Sequence, residues 1–306
     1  MLKRIIRALL PNPFDALLKK AVCRGQKSFL IVWNRGLGDI PLGIYALVSR
    51  IKQFVPVASV TIVTREDLRE GFELLAGVEI LSIPFWTRKN RIDLDSALKL
   101  YGTSKQDWDV VIESPDPSYW VRWQLGVLTP KLCWDSDWDS LCLGFDLDPN
   151  HQYVGVHIHS ETVYGYEKNW PSAQFKQVFT RLFQDYRKKI ILFGSGSGVP
   201  VEEEGVIDLR GKTSLKQMLS IIKNQCSHLI LPDSGILSIT YYLDCLFPIH
   251  VVSLWADPFQ GVLKQNVSSP NPGLIHIPLI AKNGDLRNIG VQDVIDSLFL
   301  EAMNGK

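Results

Sequence analysis

The stretch Ser28-Phe29-Leu30-Ile31-Val32-Trp33-Asn34-Arg35-Gly36-Leu37-Gly38-Asp39 decides the fold. Its first six residues are a short, largely apolar run that ends in turn formers, the pattern of a strand buried on both faces of a parallel sheet. Gly36 and Gly38 let the chain turn tightly, and Asp39 stands where a helix over 39–54 would begin. A strand, a glycine turn and a helix in that order open a β-α-β unit.

The alternation continues outward from this unit. Strands are expected at 59–64, 78–83 and 108–113, with helices at 66–76 and 93–101 between them. Residues 114–150 are rich in Trp, Asp and Pro and lack clear periodicity, and their end is read as a domain boundary. The pattern then restarts with strands at 153–158, 189–193, 206–209, 228–231 and 250–254. Helices are expected at 171–186, 214–224 and 235–246, and a closing helix at 291–303 could pack back on the first half. Pro171 suits the first turn of its helix. The expected organisation is a basic amphipathic segment at 1–24, a first α/β domain at 25–150 and a second at 151–306. In such sheets ligands lie beyond the carboxyl ends of the strands.

The 306 residues suffice for two cores, and 46% hydrophobic with 21% charged residues is a globular composition. A formal net charge of +1 gives no global field for a polyanion, so nucleic acid is not expected as a partner. The five cysteines, Cys23, Cys133, Cys142, Cys226 and Cys245, are scattered and form no CxxC pair, which fits a reducing, cytoplasmic setting. No apolar run approaches the roughly 20 residues that span a bilayer. At the start, Arg7, Pro11, Pro13 and Asp15 interrupt the apolar stretch that a signal peptide would need. There Lys3, Arg4, Arg7, Lys19 and Lys20 alternate with Leu2, Ile5, Ile6, Leu9, Leu10, Phe14, Leu17 and Leu18. Two readings stand open: a segment resting on an anionic membrane face, or a helix packed on the body.

Three junctions could carry chemistry. Asp39 either caps its helix or presents a carboxylate able to take a proton from an attacking hydroxyl, with Gly36 and Gly38 as the loop beside it. Asp233-Ser234-Gly235 joins a strand to a helix, where amides and a hydroxyl could hold a diphosphate or merely form a cap. Lys168, just before Trp170-Pro171, is either solvated or a cation for phosphate charge.

Other patterns carry less. Gly194-Ser195-Gly196-Ser197-Gly198 lacks the helix that a dinucleotide fingerprint needs. The repeated Asp-x-Asp pairs (93/95, 107/109, 135/137, 137/139, 146/148) are read as solvated loop residues, and no metal is expected.

Taken together, the segments resemble the bacterial heptosyltransferase family, glycosyltransferase family 9, of lipopolysaccharide core assembly. The similarity covers most of the chain. It rests on Phe29-Leu30-Ile31-Val32 with Gly36-Leu37-Gly38-Asp39-Ile40, and on Val154-Gly155-Val156-His157 with Lys168-Asn169-Trp170-Pro171. Arg210-Gly211-Lys212-Thr213-Ser214-Leu215, Asp233-Ser234-Gly235 and Ala256-Asp257-Pro258 complete it.

The resemblance implies two facing Rossmann-like domains of the GT-B type and an inverting, metal-independent transfer. It implies no cofactor: the co-substrate is a nucleotide-diphosphate sugar, ADP-heptose by family default, and the acceptor is a glycolipid or oligosaccharide. It further implies a cytoplasmic enzyme, peripheral at the inner face of the membrane. Carried over by position, Asp39 is the base, while Lys168, Asp233, Ser234 and Gly235 bind the donor, and Trp170 packs. Arg88, Lys89 and Arg91 form a basic cluster that could meet an anionic acceptor or simply be solvated. The chain departs from the family at Ser238, where the family carries His, and at the preceding Ile236-Leu237. A catalytically degenerate binder of nucleotide sugar or glycan is the alternative.

Overall fold

The computed structural model describes residues 12–88, 90–161, 165–196, 199 and 201–299. The chain divides into two compact units, Met1–Leu132 and Cys133–Lys306.

The first unit opens with α1 (Pro13–Cys23), which Asn12 caps through its side chain, accepting from the Phe14 amide at 3.0 Å. Phe14, Leu18 and Ala21 on this helix are buried, and the Phe14 ring stacks on Trp120 at 5.1 Å. Asp15 meets Arg50 at 2.6 Å. For residues 13–23, then, the apolar stripe faces the protein's own core. The rest of the expected amphipathic segment, residues 1–11, lies outside the described residues.

There follow β1 (Ser28–Trp33), a π-helical turn at Ile40–Ile44, α2 (Tyr45–Phe54), β2 (Ser59–Arg65), the single turn α3 (Arg69–Phe72), β3 (Glu79–Ile83), α4 (Leu94–Lys99) and β4 (Val110–Ile112). All four strands are parallel, in the order β3-β2-β1-β4. Ile31 at the centre of β1 pairs with Ile62 and Ile112, and Phe29, Leu30 and Ile31 are wholly buried. A middle strand covered on both faces needs such an unbroken apolar run.

The second unit begins with 3-10 turns at Ser136–Gly144. It continues through β5 (Tyr153–His157), α5 (Ser172–Gln184), β6 (Ile190–Phe193), β7 (Val206–Asp208), α6 (Leu215–Gln225), β8 (Cys226–Pro232), α7 (Gly235–Tyr241), β9 (Ile249–Trp255), α8 (Gly261–Gln265), β10 (Leu274–Ile280) and α9 (Val291–Leu298). The six strands are parallel in the order β7-β6-β5-β8-β9-β10. Counted within the unit this is 3-2-1-4-5-6, the order of dinucleotide-binding sheets, and it reverses between β5 and β8.

Two features depart from expectation. The division falls at 132/133 rather than 150/151, because the 136–144 segment is tied to α6. There the Cys142 amide donates to Ser220 Oγ at 3.0 Å, Ser220 Oγ donates to the Asp139 carbonyl at 2.9 Å, and Lys223 pairs with Asp139 at 2.8 Å. β10 has no counterpart in the sequence reading. It is an edge strand whose Pro278 cannot donate to a ladder, and its half-exposed residues blur the apolar run. Helix α9 packs on α5, β9 and β10 of its own unit, and the end of the helix expected at 291–303 lies outside the described residues.

Candidate active site

In the first sheet the strand order reverses at β1, between β2 and β4, so the carboxyl end of β1 is where a parallel sheet holds a ligand. The Gly36–Asp39 turn sits there. Asp39 Oδ2 accepts from the Gly36 amide at 3.1 Å, while the Asp39 amide donates to the Gly36 carbonyl at 3.2 Å. No side-chain bond caps the following helix. Pro41 has removed one of the amides a cap would use, and the chain enters a π-helical turn instead of a regular helix. The carboxylate is therefore oriented by the glycine turn, and helix capping is not its role.

A polar network ties this turn to the loop after β3. The Arg65 guanidinium, nearly buried at the end of β2, is forked onto Asp67 with two 2.8 Å bonds. It also donates to Asn34 Oδ1 at 2.8 Å and to the Arg35 carbonyl at 3.2 Å. Asn34 in turn donates to the carbonyls of Thr87 (3.1 Å) and Asn90 (2.9 Å). This brings Arg88 to the turn: a Cβ built on Gly36 would lie 3.4 Å from Arg88 Nη2 and 3.5 Å from Asp39 Oδ2. Of the basic cluster Arg88, Lys89 and Arg91, Arg88 thus adjoins Asp39. Arg91 is exposed further along the loop, and Lys89 lies outside the described residues.

In the second unit, Lys168 and Asp233 meet. Lys168 Nζ is 2.8 Å from Asp233 Oδ2, with side chains 12% and 9% exposed. These exposures exclude the solvated reading of Lys168. The Tyr166 hydroxyl donates to the same carboxylate oxygen at 2.5 Å, and the ammonium lies 4.8 Å from the Tyr166 ring centroid. Ser160 Oγ donates to the Asp233 carbonyl at 3.1 Å, and Asn169 clasps the Ser160 backbone at both ends (2.6 and 3.0 Å). The β5 connection is thereby fastened to the end of β8, at the point where strand order reverses.

Ser234 is the cap of α7, accepting from the Leu237 amide at 3.2 Å. Gly235 opens that helix, and Ser238 is buried, donating back to the Ser234 carbonyl at 3.2 Å. At the start of α8, after β9, stands Gly261, where a Cβ would sit 2.6 Å from Asp233 Oδ1 and 2.8 Å from the Trp255 ring, at a φ of +50°. Only glycine allows so close an approach there. Nearby, His157 ends β5 buried, with no partner for Nδ1 among the described residues, and burial pulls its pKa down to about 4.

Tyr166, Ser160, Arg65 and Gly261 escaped the sequence reading. None sits in a spacing pattern, and each acquires its part only through a chain reversal that brings distant loops together. Trp170 packs as expected, buried and donating to the Ile289 carbonyl at 3.1 Å. The Asp-x-Asp residues build turns: Asp93 and Asp135 cap through their side chains, and Asp109 accepts from the Lys27 and Ser28 amides at 2.7 and 2.9 Å. Among the described residues no group of three or more His, Cys, Asp or Glu could hold a metal ion, and no helix is long and apolar enough to cross a membrane.

No protein-family model matches this sequence, and no curated protein matches it significantly. Solved structures do. The chain is similar to the ADP-heptose lipopolysaccharide heptosyltransferase II of E. coli at 17% identity and a TM-score of 0.61, over 90% of this chain and 99% of the other. A glycosyltransferase family 9 protein of Veillonella parvula DSM 2008 matches at 18% identity and a TM-score of 0.59, over 90% and 97%. The iron-containing dodecameric glycosyltransferase TibC of enterotoxigenic E. coli H10407 matches at 12% and 0.57, over 92% and 78%. The fold is accordingly that of these glycosyltransferase structures. Among them, the heptosyltransferase of E. coli is matched almost end to end.

Proposed function

We propose that this chain is an inverting glycosyltransferase of family 9, with the GT-B architecture. It would move a sugar from a nucleotide-diphosphate donor to a cell-envelope glycan of the lipopolysaccharide-core type. The observation that carries the reading is the buried Lys168–Asp233–Tyr166 cluster at the carboxyl ends of β5 and β8. It occupies the reversal point of a 3-2-1-4-5-6 sheet, where such sheets take nucleotides. The likeness to the E. coli heptosyltransferase, whose name carries ADP-heptose, favours ADP-heptose as the donor.

The roles follow from the chemistry of the groups. Asp39 takes the proton of an acceptor hydroxyl as that oxygen bonds to the anomeric carbon. The bond from this carbon to the diphosphate breaks on the opposite side, and the nucleoside diphosphate leaves with the electron pair. An ammonium has three N–H groups, and Asp233 engages one side of Lys168, holding it in place to neutralise the departing phosphate. The Ser234 hydroxyl and the Gly235 amide suit diphosphate oxygens. Arg88, beside Asp39, would hold an anionic group of the acceptor.

The test is a transfer assay on Asp39→Ala with nucleotide-sugar binding measured in parallel. Loss of a general base typically lowers rate by about 10²–10⁴-fold, with binding retained. A variant that kept more than roughly a tenth of the rate would remove Asp39 from this role. The donor base is read from a thermal-shift screen of ADP-, GDP-, UDP- and CMP-sugars, since a ligand at a hundred times its Kd stabilises by about 2.7 kcal/mol.

A second reading, a degenerate binder, draws on Ser238. Its hydroxyl is turned back onto the Ser234 carbonyl, where the family has His. Nucleotide-sugar binding without turnover over a panel of acceptors would favour it.

A further inference from the structure

Strand β9 is buried along its whole length, yet it carries a serine between Val252 and Leu254. Ser253 is wholly buried, and its hydroxyl is engaged from two sides. The Trp255 indole donates to Ser253 Oγ at 2.6 Å, and Ser253 Oγ lies 2.6 Å from His276 Nε2 on β10. An indole N–H can only donate, so the hydroxyl accepts from Trp255 and gives its own hydrogen to His276. Burial pulls the His276 pKa down to about 4, which keeps the imidazole neutral and Nε2 able to accept. The donors therefore run one way, from Trp255 through Ser253 to His276.

Such a chain supplies orientation more than stability. Apolar groups of the same shape would serve the core nearly as well, but a fully bonded polar set admits a single arrangement. What it orients is the indole, held by its nitrogen edge. The opposite edge meets Gly261: a Cβ there would lie 2.8 Å from Trp255 Cη2, 3.1 Å from Cζ3 and 2.6 Å from Asp233 Oδ1. Leu254 pairs with Pro232, so Trp255 and Asp233 come next on neighbouring strands, with the Gly261 backbone as the spacer between their side chains. The other oxygen of Asp233 holds Lys168 and Tyr166. At the far end of the chain, His276 makes a T-shaped contact at 5.2 Å with Tyr241, the last residue of α7.

We infer that Trp255, Ser253 and His276 are positioning residues of the nucleotide site: they fix the Gly261 backbone against Asp233 and so hold the Lys168 ammonium where a diphosphate meets it. All three act through Asp233. The inference rests on the nucleotide reading of the Lys168–Asp233 cluster.

The experiment follows Lys168 without ligand and ADP binding with it, on the full chain. Amine acylation with peptide mapping reads the reactivity of Lys168, and calorimetric titration reads the affinity for ADP. Ser253→Ala should speed Lys168 acylation and weaken ADP binding by roughly five-fold or more each, about the worth of one buried hydrogen bond. His276→Leu should act in the same direction, and because His276 is only half-buried it carries the test even where Ser253→Ala does not fold. His276→Gln offers an amide oxygen to the serine hydrogen and should stay within about two-fold of the wild type. In a Lys168→Met background, Ser253→Ala should change ADP affinity by less than about two-fold, whereas a general loosening would weaken both backgrounds alike. The inference is overturned if Ser253→Ala and His276→Leu leave Lys168 acylation at the wild-type rate, or if His276→Gln behaves as His276→Leu does. It is equally overturned if the loss of affinity persists in full without Lys168. A wild type that binds neither ADP nor another nucleoside diphosphate would remove the nucleotide reading instead, and the acylation rates, which need no ligand, would still decide whether the chain positions Lys168.

Discussion

Lys168 and Asp233 are each read in the sequence as a residue at a strand end, and neither reading contains the other. The structure makes them one group, with Tyr166 as a third member. A buried carboxylate with its cation removed keeps its desolvation cost and loses its compensation. Lys168→Met should therefore destabilise the protein by about 3 kcal/mol as well as weaken nucleotide binding, in a denaturation series read beside ligand titration. A stability change below about 0.5 kcal/mol would mean that the pair behaves as a surface ion pair. The sequence could not announce this pairing, because the partners are 65 residues apart and joined only by the β5–β8 neighbourhood. Asp39 is the opposite case. Its position after Gly36 and Gly38 made it a candidate from the first strand onward, although its bond to the Gly36 amide appears only in three dimensions.

Among the elements, strands were legible wherever burial on both faces left a continuous apolar run, as at Ile190–Phe193 and Ile249–Trp255. Helices were legible by period but not by extent. Residues 39–54 split into a π-helical turn and α2, and 235–246 shortens to α7. The 133–150 stretch groups with the second unit, although its position in the sequence reads as the end of the first, because that grouping rests on polar bonds, which leave no periodic trace. Ser220 is the centre of that grouping, fully buried on α6 and bonded both to the Cys142 amide and to the Asp139 carbonyl. Ser220→Ala should cost about 1–3 kcal/mol and speed amide exchange at Cys142. Unchanged exchange there would show that other contacts hold the segment.

Over the molecule as a whole, buried imidazoles set the response to acid. Burial lowers the pKa of His157, His228 and His276 to about 4 each, with neighbouring positive or imidazole groups adding to the shift at the first two. Their unfolded values lie near 6.5. A group whose native pKa is depressed in this way binds more protons when unfolded. Its stabilising effect is thus complete above about pH 6.5 and fades as the pH falls toward about 4. The His157 shift alone corresponds to about 3 kcal/mol. Carboxylates held below their usual range by hydrogen bonds, such as Asp109 by backbone amides and Asp208 by Arg210, extend the decline to lower pH. Urea midpoints should fall steadily between about pH 7 and about pH 4, and His157→Gln should flatten part of that slope. A flat profile in the parent chain would contradict the neutral, buried state of these rings.

Pro278 has a consequence for behaviour in concentrated solution. It interrupts the outermost strand of the larger sheet, a strand whose Ile275 and Ile280 reach the surface. Without an amide hydrogen at its centre, that rim is a poor template for a visiting chain, and the imino acid works as a safeguard against fibrillar stacking. Restoring the hydrogen with Pro278→Val should leave the monomer folded yet raise turbidity during refolding, and equal turbidity would strip the residue of that protective part.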